Sequence, residues 1–455
     1  MLLMIIVVII CALASYIIPA GEYERVYSEE AGRELIVPGS FTYIERTPAS
    51  PLDLLCSFSL GLQSGCDIIF FLLISGGMFG ILNGTNALNI GMANLIRALK
   101  NKEILIIPIF VIIFGCGSTF CGNFEEYLVF VPLMLAGCIT VGFDSLTAVG
   151  IIFMSAAAGY GASITNAFTV GVAQDVCGLP AFSGMSLRVV IFVIFELVTM
   201  LYLIIYARFI KKNPGLGGVS SIDSVFNQDK HLNLERIPPL SNRQTLVLVV
   251  FILGIVLAIW GVIKQGFYVD ELSAVFLTTG VLGGVVGGLK PGEICERFVR
   301  GAKDMLLPCF MIGLAHAGLV LLNDSSVFDT ILFTMAQMLS KMPEGLLPCG
   351  MYFFHALFHV LVPSGSAHAG ITMPIMMSLA DAGTTTRQTA VLAYQLGSSF
   401  TNVLSPTGGE ILAALAICHV PFGKWIKFII PLFLIWTLIS LIFLVYAASV
   451  GYGPF

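Results

Sequence analysis

The chain has 455 residues, of which 57% are hydrophobic and 11% charged, with a net charge of −5 and a mean hydropathy of +0.95. A soluble domain carries about 25% charged residues, so this composition excludes an ordinary globular protein. With no basic tract it also excludes a nucleic-acid partner.

Apolar stretches long enough to enter a bilayer recur along the chain. They cover residues 1–19, 66–83, 103–120, 127–142, 145–162, 186–209, 244–264, 273–290, 303–322, 345–362, 370–383, 386–402 and 427–449. Some are broken by Gly or Pro and need not cross fully. The first lacks the basic start and small-residue cleavage pattern of a signal peptide and is expected to be a membrane helix. It ends at Pro19-Ala20-Gly21, before a stretch holding Glu22, Glu24, Glu29 and Glu30. The eleven cysteines form no CxxC pair and require neither disulfide nor metal.

Residues 210–243 are polar, contain Pro214, Pro238 and Pro239, and read as a linker between a first half, 1–209, and a second, 244–455. Arg208, Lys211, Lys212, Lys230, Arg236 and Arg243 place that linker in the cytoplasm. Arg97, Lys100 and Lys102 mark a second cytoplasmic loop, and Lys290, Arg297, Arg300 and Lys303 a third.

The halves repeat. Gly161-Ala162-Ser163-Ile164-Thr165-Asn166-Ala167-Phe168-Thr169 returns as Gly397-Ser398-Ser399-Phe400-Thr401-Asn402-Val403-Leu404-Ser405. Val131-Pro132-Leu133-Met134 returns as Met373-Pro374-Ile375-Met376, and Pro51, Asp53, Phe58 and Gly61 as Pro291, Glu293, Phe298 and Gly301. One apolar segment precedes the first copy and two follow the linker before the second, so the copies should have inverted topology. The expected fold is an all-α polytopic membrane protein of two inverted repeats, each with a re-entrant hairpin and a broken membrane helix.

The breaks carry the candidate site. Ser163, Thr165, Asn166 and Thr169 in one copy, and Ser399, Thr401, Asn402, Ser405 and Thr407 in the other, are polar clusters at membrane depth. There an unwound peptide must be buried or face a cavity. Helix–helix bonding is the alternative role for such residues; their appearance in both copies favours a site, with Asn166 and Asn402 the least replaceable. Hairpin tips are expected at Gly115–Thr119, with Ser118 and Thr119, leading to Gly122–Glu126, and at Pro363–Gly370, with Ser364, Ser366 and His368. Glu125 and Glu126 are carboxylates at membrane depth, which mark function by default; an interfacial helix start is the other reading. His355 and His359 share a helix face, with His316 and His368 in the same half; packing or a proton relay fits better than zinc, as no third ligand pattern appears. Arg188, Asp381 and Arg387 are expected at segment ends in structural or charge-pairing roles.

These motifs resemble the YfcC-like family of the C4-dicarboxylate anaerobic carrier and arginine–ornithine antiporter group. The resemblance rests on Ile18-Pro19-Ala20-Gly21-Glu22-Tyr23, Glu125-Glu126, Phe168-Thr169-Val170-Gly171-Val172-Ala173-Gln174, Pro363-Ser364-Gly365-Ser366, Met373-Pro374-Ile375-Met376, Arg387-Gln388, and Asn402 with Pro406-Thr407-Gly408. It implies a scaffold domain and a moving, elevator-like transport domain, and amino acid or carboxylate substrates. Ala167 departs from the family's Pro, Ser398-Ser399 from Asp-Gly, and Ala367-His368 from Gly-Gln.

The sequence thus predicts a secondary carrier, not an enzyme, moving a small polar solute across the cell membrane. An amino acid is the first choice, by exchange or ion-coupled symport, and a C4-dicarboxylate the second. An intramembrane hydrolase built on Ser364 or Ser366 and His368 is a distant third, since no Gly-x-Ser-x-Gly elbow occurs. No cofactor is called for beyond a coupling proton or sodium ion. The partners are the solute and membrane lipid, with room for a homodimer through the scaffold.

Overall fold

The computed structural model describes residues 2–28, 33–88, 90–91, 94, 102–122, 124–213, 219, 239–265, 267, 269–383 and 385–453. Most of the expected linker, the Arg97 and Lys100 loop, and Glu29 and Glu30 lie outside these residues.

The described chain is mainly helical. Helix α1 (Leu2–Ile17) leads to two short hairpins, β1 (Gly21–Glu22) with β4 (Thr42–Tyr43) and β2 (Arg25–Ser28) with β3 (Arg33–Ile36). There follow α2 (Pro51–Ser64), α3 (Cys66–Gly84), α4 (Ile106–Cys121), a 3-10 turn (Glu125–Phe130), α5 (Val131–Thr140), α6 (Ser145–Ala162), a π-type turn (Ala167–Gly171), α7 (Val172–Val176) and α8 (Met185–Lys212). After the linker come α9 (Asn242–Gln265), α10 (Val269–Val286), α11 (Pro291–Asp304), α12 (Leu306–Asp324), α13 (Phe328–Leu339), α14 (Leu347–Leu361), α15 (Gly365–Ala382), α16 (Arg387–Thr401), α17 (Gly409–Ile417) and α18 (Phe422–Ser449).

The two halves use matching local signals. Helices α2 and α11 both open with Pro at the first position, where its missing N–H costs nothing, and an acid three residues beyond the cap accepts the cap's N–H: Asp53 from Ser50 and Glu293 from Lys290, each at 2.8 Å. Both are 14 residues long, and α3 and α12 after them are both 19. Helices α6 and α16 start at capping side chains, with Thr147 N donating to Asp144 Oδ1 (2.9 Å) and Thr389 N to Thr386 Oγ1 (3.1 Å). The closing helices α8 and α18 both have 28 residues.

Five helices among the described residues are long and apolar enough to cross a membrane, and up to seven if each of two bent pairs is one span. Helix α8 shows how such a span sits: Val189, Val193, Leu197, Leu201 and Ile205 are exposed, while Ile191, Phe195, Leu203 and Ala207 are buried. The outward apolar face matches hydrocarbon rather than water. Helix α6 is buried along all 18 residues and is the centre of the bundle.

Packing divides the molecule into two bodies, each drawn from both halves. In one, α3 packs on α10 and α11, α2 on α12, and α9 on α10, around a core that includes Phe71, Leu82, Phe251 and Phe276. In the other, α4, α5 and α8 surround α6, and α14, α15 and α18 surround α16, with α6 and α16 in contact. Helix α12 meets α17 where the bodies face each other. Outside the bundle, Arg25 Nη2 donates to both carboxylate oxygens of Asp329 at 2.8 Å, and Tyr23 N adds a third bond at 3.0 Å. This fastens the β segment to α13.

Close glycine approaches hold α3 to α11. A Cβ at Gly301 would collide with the Gly76 carbonyl oxygen and stand 2.8 Å from the Gly80 Cα, the small-residue contact that membrane helices use. Gly301→Leu must push backbone from backbone and is expected to cost about 1–3 kcal/mol or more. Melting of the detergent-purified protein reads this loss, and Gly292→Leu, on the same helix with nothing within 4 Å, should leave the melt unchanged.

Candidate functional site

The first break is held open by hairpin residues. Helix α6 ends where Ser163 takes a left-handed conformation (φ 39°), uncommon for a residue with a side chain. Its hydroxyl donates to the Tyr160 carbonyl and lies 3.1 Å from Thr169 Oγ1, and Asn166 Nδ2 approaches it at 3.4 Å. The freed amides find partners on α4: Ile164 N donates to Thr119 Oγ1 (3.0 Å) and Thr165 N to Thr119 O (3.2 Å). Thr165 Oγ1 donates to Phe120 O (3.2 Å), and Arg188, 1% exposed, donates to the carbonyls of Ile164 and Phe182. The unwound stretch is thereby satisfied inside the protein, as the bilayer interior requires. Gly122 (φ 78°) makes the turn at the tip and passes so close to Asn166 Oδ1 that a Cβ would clash.

Three sequence expectations are corrected here. The first tip is confined to residues around Gly122, because α4 runs on through Cys121. Ser118 and Thr119 are therefore helical and buried, with Ser118 Oγ donating to Ala156 O (2.8 Å) across to α6; they join helices. The second tip shrinks to Val362–Ser364, since α15 begins at Gly365, so Ser366 lies in its first turn and His368 is a buried helical residue. The second break also starts later than the repeat suggests. Ser399 and Thr401 remain in α16, their hydroxyls donating back to Gln395 O and Gly397 O one turn earlier, a bond open to any Ser or Thr in a helix.

The second break runs from Asn402 to Gly408. Thr407 N donates to Ser405 Oγ (3.1 Å), and Thr407 Oγ1 to the Val360 carbonyl (2.6 Å). Asn402 Oδ1 is bonded to His359 Nε2, His359 Nδ1 lies 3.2 Å from His368 Nδ1, and His368 Nε2 lies 2.9 Å from His355 Nδ1. From inside α16, Gln395 reaches the first break, its Nε2 donating to Thr169 Oγ1 (3.0 Å) and Tyr160 O (3.2 Å). Sequence reasoning missed Gln395 and Arg188 as parts of the site, although a buried amide and a buried guanidinium at membrane depth are themselves signals. Arg387 and Asp381 do pair at the surface, at 2.7 and 2.8 Å, and Arg387 also donates to Cys177 O.

A cavity of about 190 Å³ lies where the two bodies meet. One wall is the α2–α3 bend, with Ser64, Gly65 and Asp67, and α12, with Ile312, His316 and Leu319. The other is Glu125, the second tip at Pro363 and Ser364, Thr407, and the start of α17 at Gly409 and Glu410. Of the expected site residues, Glu125, Ser364 and Thr407 reach this cavity; the side chain of Glu126 lies outside the described residues. Ser163, Thr165, Asn166, Thr169, Asn402 and Ser405 build the breaks behind it. Asp67, Glu410 and Ser64 are additions, and Ser64 Oγ lies 3.3 Å from His316 Nδ1.

A bundle of apolar helices closed around a polar cavity, with broken helices behind it, is the build of a multi-pass membrane transporter. The chain belongs to the C4-dicarboxylate anaerobic carrier family (DcuC), which matches residues 1–449. It is 31% identical to the Escherichia coli protein named "Putative basic amino acid antiporter YfcC" over 98% of this chain and 95% of that one. It is 30% identical to an uncharacterized protein of Haemophilus influenzae, over 92% and 82% of the two chains. Among solved structures, the YdaH transporter of Alcanivorax borkumensis aligns over 99% of this chain and 98% of its own, at 14% identity and a TM-score of 0.42.

Proposed function

We propose that this transporter is a secondary active carrier for amino acids with a cationic side chain. The observation that carries this is the lining of the cavity: three carboxylates, Asp67, Glu125 and Glu410, and, among the described residues, no Lys or Arg. Carboxylates converging on a small polar space suit a guanidinium or ammonium group through charge-assisted bonds. The solute's own carboxylate has a place at the N-terminal end of α17, where the helix dipole favours an anion. The printed name of the E. coli relative points the same way.

The family's name gives the second reading, a C4-dicarboxylate. Ser364, Thr407 and the α17 N-terminus could take carboxylates without arginine, but three acidic neighbours oppose it. A hydrolase finds little support: among the described residues no imidazole is bonded to the Ser364 hydroxyl, and His368 faces His355 and His359 instead.

In this reading residues 1–209 and 244–455 are inverted repeats joined by a cytoplasmic linker at 210–243. Supporting it are the matched helix lengths and caps, and the single helix before Pro51 against two before Pro291. The body holding α2, α3 and α9–α12 is the scaffold, able to pair with a second copy in the cell membrane. The body holding the breaks moves against it like an elevator and exposes the cavity to each side in turn, coupled to a proton or sodium ion.

A thermal-shift and counterflow screen of the purified protein tests the substrate. Arginine, ornithine or lysine at a hundred times its Kd should add about 2.7 kcal/mol of stability and drive exchange. Stabilisation by succinate or fumarate alone would replace this reading with the second.

A further inference from the structure

The three histidines behind the second break do more than pack. All are 0% exposed, they come from two helices, and their ring nitrogens form one unbroken chain of hydrogen bonds ending on Asn402. The carboxamide oxygen can only accept, which fixes every proton behind it. His359 must carry its proton on Nε2, so its Nδ1 accepts from Nδ1–H of His368. His368 Nε2 is then bare and accepts from Nδ1–H of His355. The chain closes on His355 Nε2, a bare acceptor with no hydrogen-bond partner. Buried polar atoms are ordinarily paired, so this open end needs a reason.

We propose that His355, His368 and His359 are a proton-binding relay, loaded at Nε2 of His355 and delivering positive charge to Asn402 at the break. A proton added to His355 Nε2 lets His355 pass its Nδ1 proton to His368 Nε2. His368 passes its own Nδ1 proton to His359 Nδ1. Asn402 is not basic, so the transfer stops there: one proton has entered, none has left, and His359 is an imidazolium donating to Asn402 Oδ1. That charge stands behind the cavity wall, since Thr407, which lines the cavity, donates to the carbonyl of Val360, the residue after His359. A cation at that point favours the carboxylate end of a bound solute, so loading the relay and binding the solute assist each other. This deepens, and rests on, the carrier reading.

The surroundings suit a relay. From α16 the Tyr394 ring faces His355 and His368 at 5.3 and 5.2 Å, the one other titratable ring against them among the described residues. On α14 itself they meet Phe354 and Phe358, and among the described residues no ion pair involves them. From α13, Phe328 reaches Phe358, and from α18, Thr437 bonds Tyr352, rather than the rings.

The test uses the ¹⁵N-histidine-labelled full-length protein in lipid nanodiscs, with signals assigned by single His→Gln variants. The relay requires protonated Nε2 on His359 and protonated Nδ1 on His368 and His355 at neutral pH, then conversion of His359 to the doubly protonated form on acidification. Any other tautomer pattern, or three rings that stay neutral until the protein unfolds, overturns it. In proteoliposomes, His355→Leu should lose uptake driven by an imposed proton gradient, and retention of that uptake would also overturn it. If the wild-type protein moves no amino acid or dicarboxylate, the carrier reading fails, while the spectra still decide the relay.

Discussion

Glu125→Gln combined with Glu410→Gln is expected to weaken binding of a cationic amino acid by roughly two to four orders of magnitude. Each substitution keeps the size and the hydrogen-bonding reach of the side chain and removes one charge. A hydrogen bond to a charged partner is worth about 1.5–3 kcal/mol, so two such losses give that range. The residues come from opposite halves, Glu125 beside the first tip and Glu410 in the first turn of α17. They should therefore act on one solute from different elements, and each single variant should show part of the loss. Titration by thermal shift and by counterflow measures the effect. Unchanged affinity in the double variant would remove the cavity as the binding site.

Glu196→Met is expected to stabilise the protein by about 1–4 kcal/mol. Glu196 lies in the middle of α8, is 5% exposed, and neither carboxylate oxygen has a hydrogen-bond partner. It is pressed against Gly115 of α4, where a Cβ would strike its carboxylate. A carboxyl group taken out of water without a partner costs free energy that an apolar side chain of similar length does not. The melting temperature in detergent should rise; a fall would show that Glu196 has a stabilising partner. Thr199, one turn on, bonds Phe195 O and Trp436 rather than Glu196, so the cost is local and should be additive with changes elsewhere.

Sequence reading located the helices well where an apolar run is long. Segments 145–162 and 66–83 fall on α6 and α3 to within a residue. It did less well where Gly and Ser are packing residues. Gly115-Cys116-Gly117-Ser118-Thr119 looks like a turn, yet it is helix, because small residues let α4 lie against α6. Helices α2 and α11 were visible only as repeat markers, being too short and too polar to register as spans. The two copies of the Ser-x-Thr-Asn motif also invited an equivalence the structure does not keep: Ser163 ends its helix with φ 39°, while Ser399 stays helical inside α16. The difference lies in φ at one residue, which composition does not encode. The cavity was the least legible part. Asp67 and Glu410 meet only because α3 and α17 are brought to either side of it, and no local pattern reports that. His355 and His359 could be placed on one face from their spacing, but the arrival of His368 from α15 could not.

The division of the molecule across its sequence governs how it can fold. Ser64 meets His316 across 252 residues, Gln174 meets Gln388 across 214, and Arg25 meets Asp329 across 304. Neither body is complete until the second half has been made. During synthesis α2 and α3 must wait in the bilayer with the glycine-lined faces that meet α12 and α11 covered only by lipid. Contacts this distant in sequence form slowly, since chain closure comes before any packing gain. Assembly is therefore late, and the waiting first half is the stage most open to misfolding. Lipid can cover Gly76 and Gly80 without leaving a backbone group unpaired, because each sits in an intact helix. The first polar break already has Thr119 and Arg188 from its own half, and it waits on the second half for Gln395, which bonds Thr169 and the Tyr160 carbonyl.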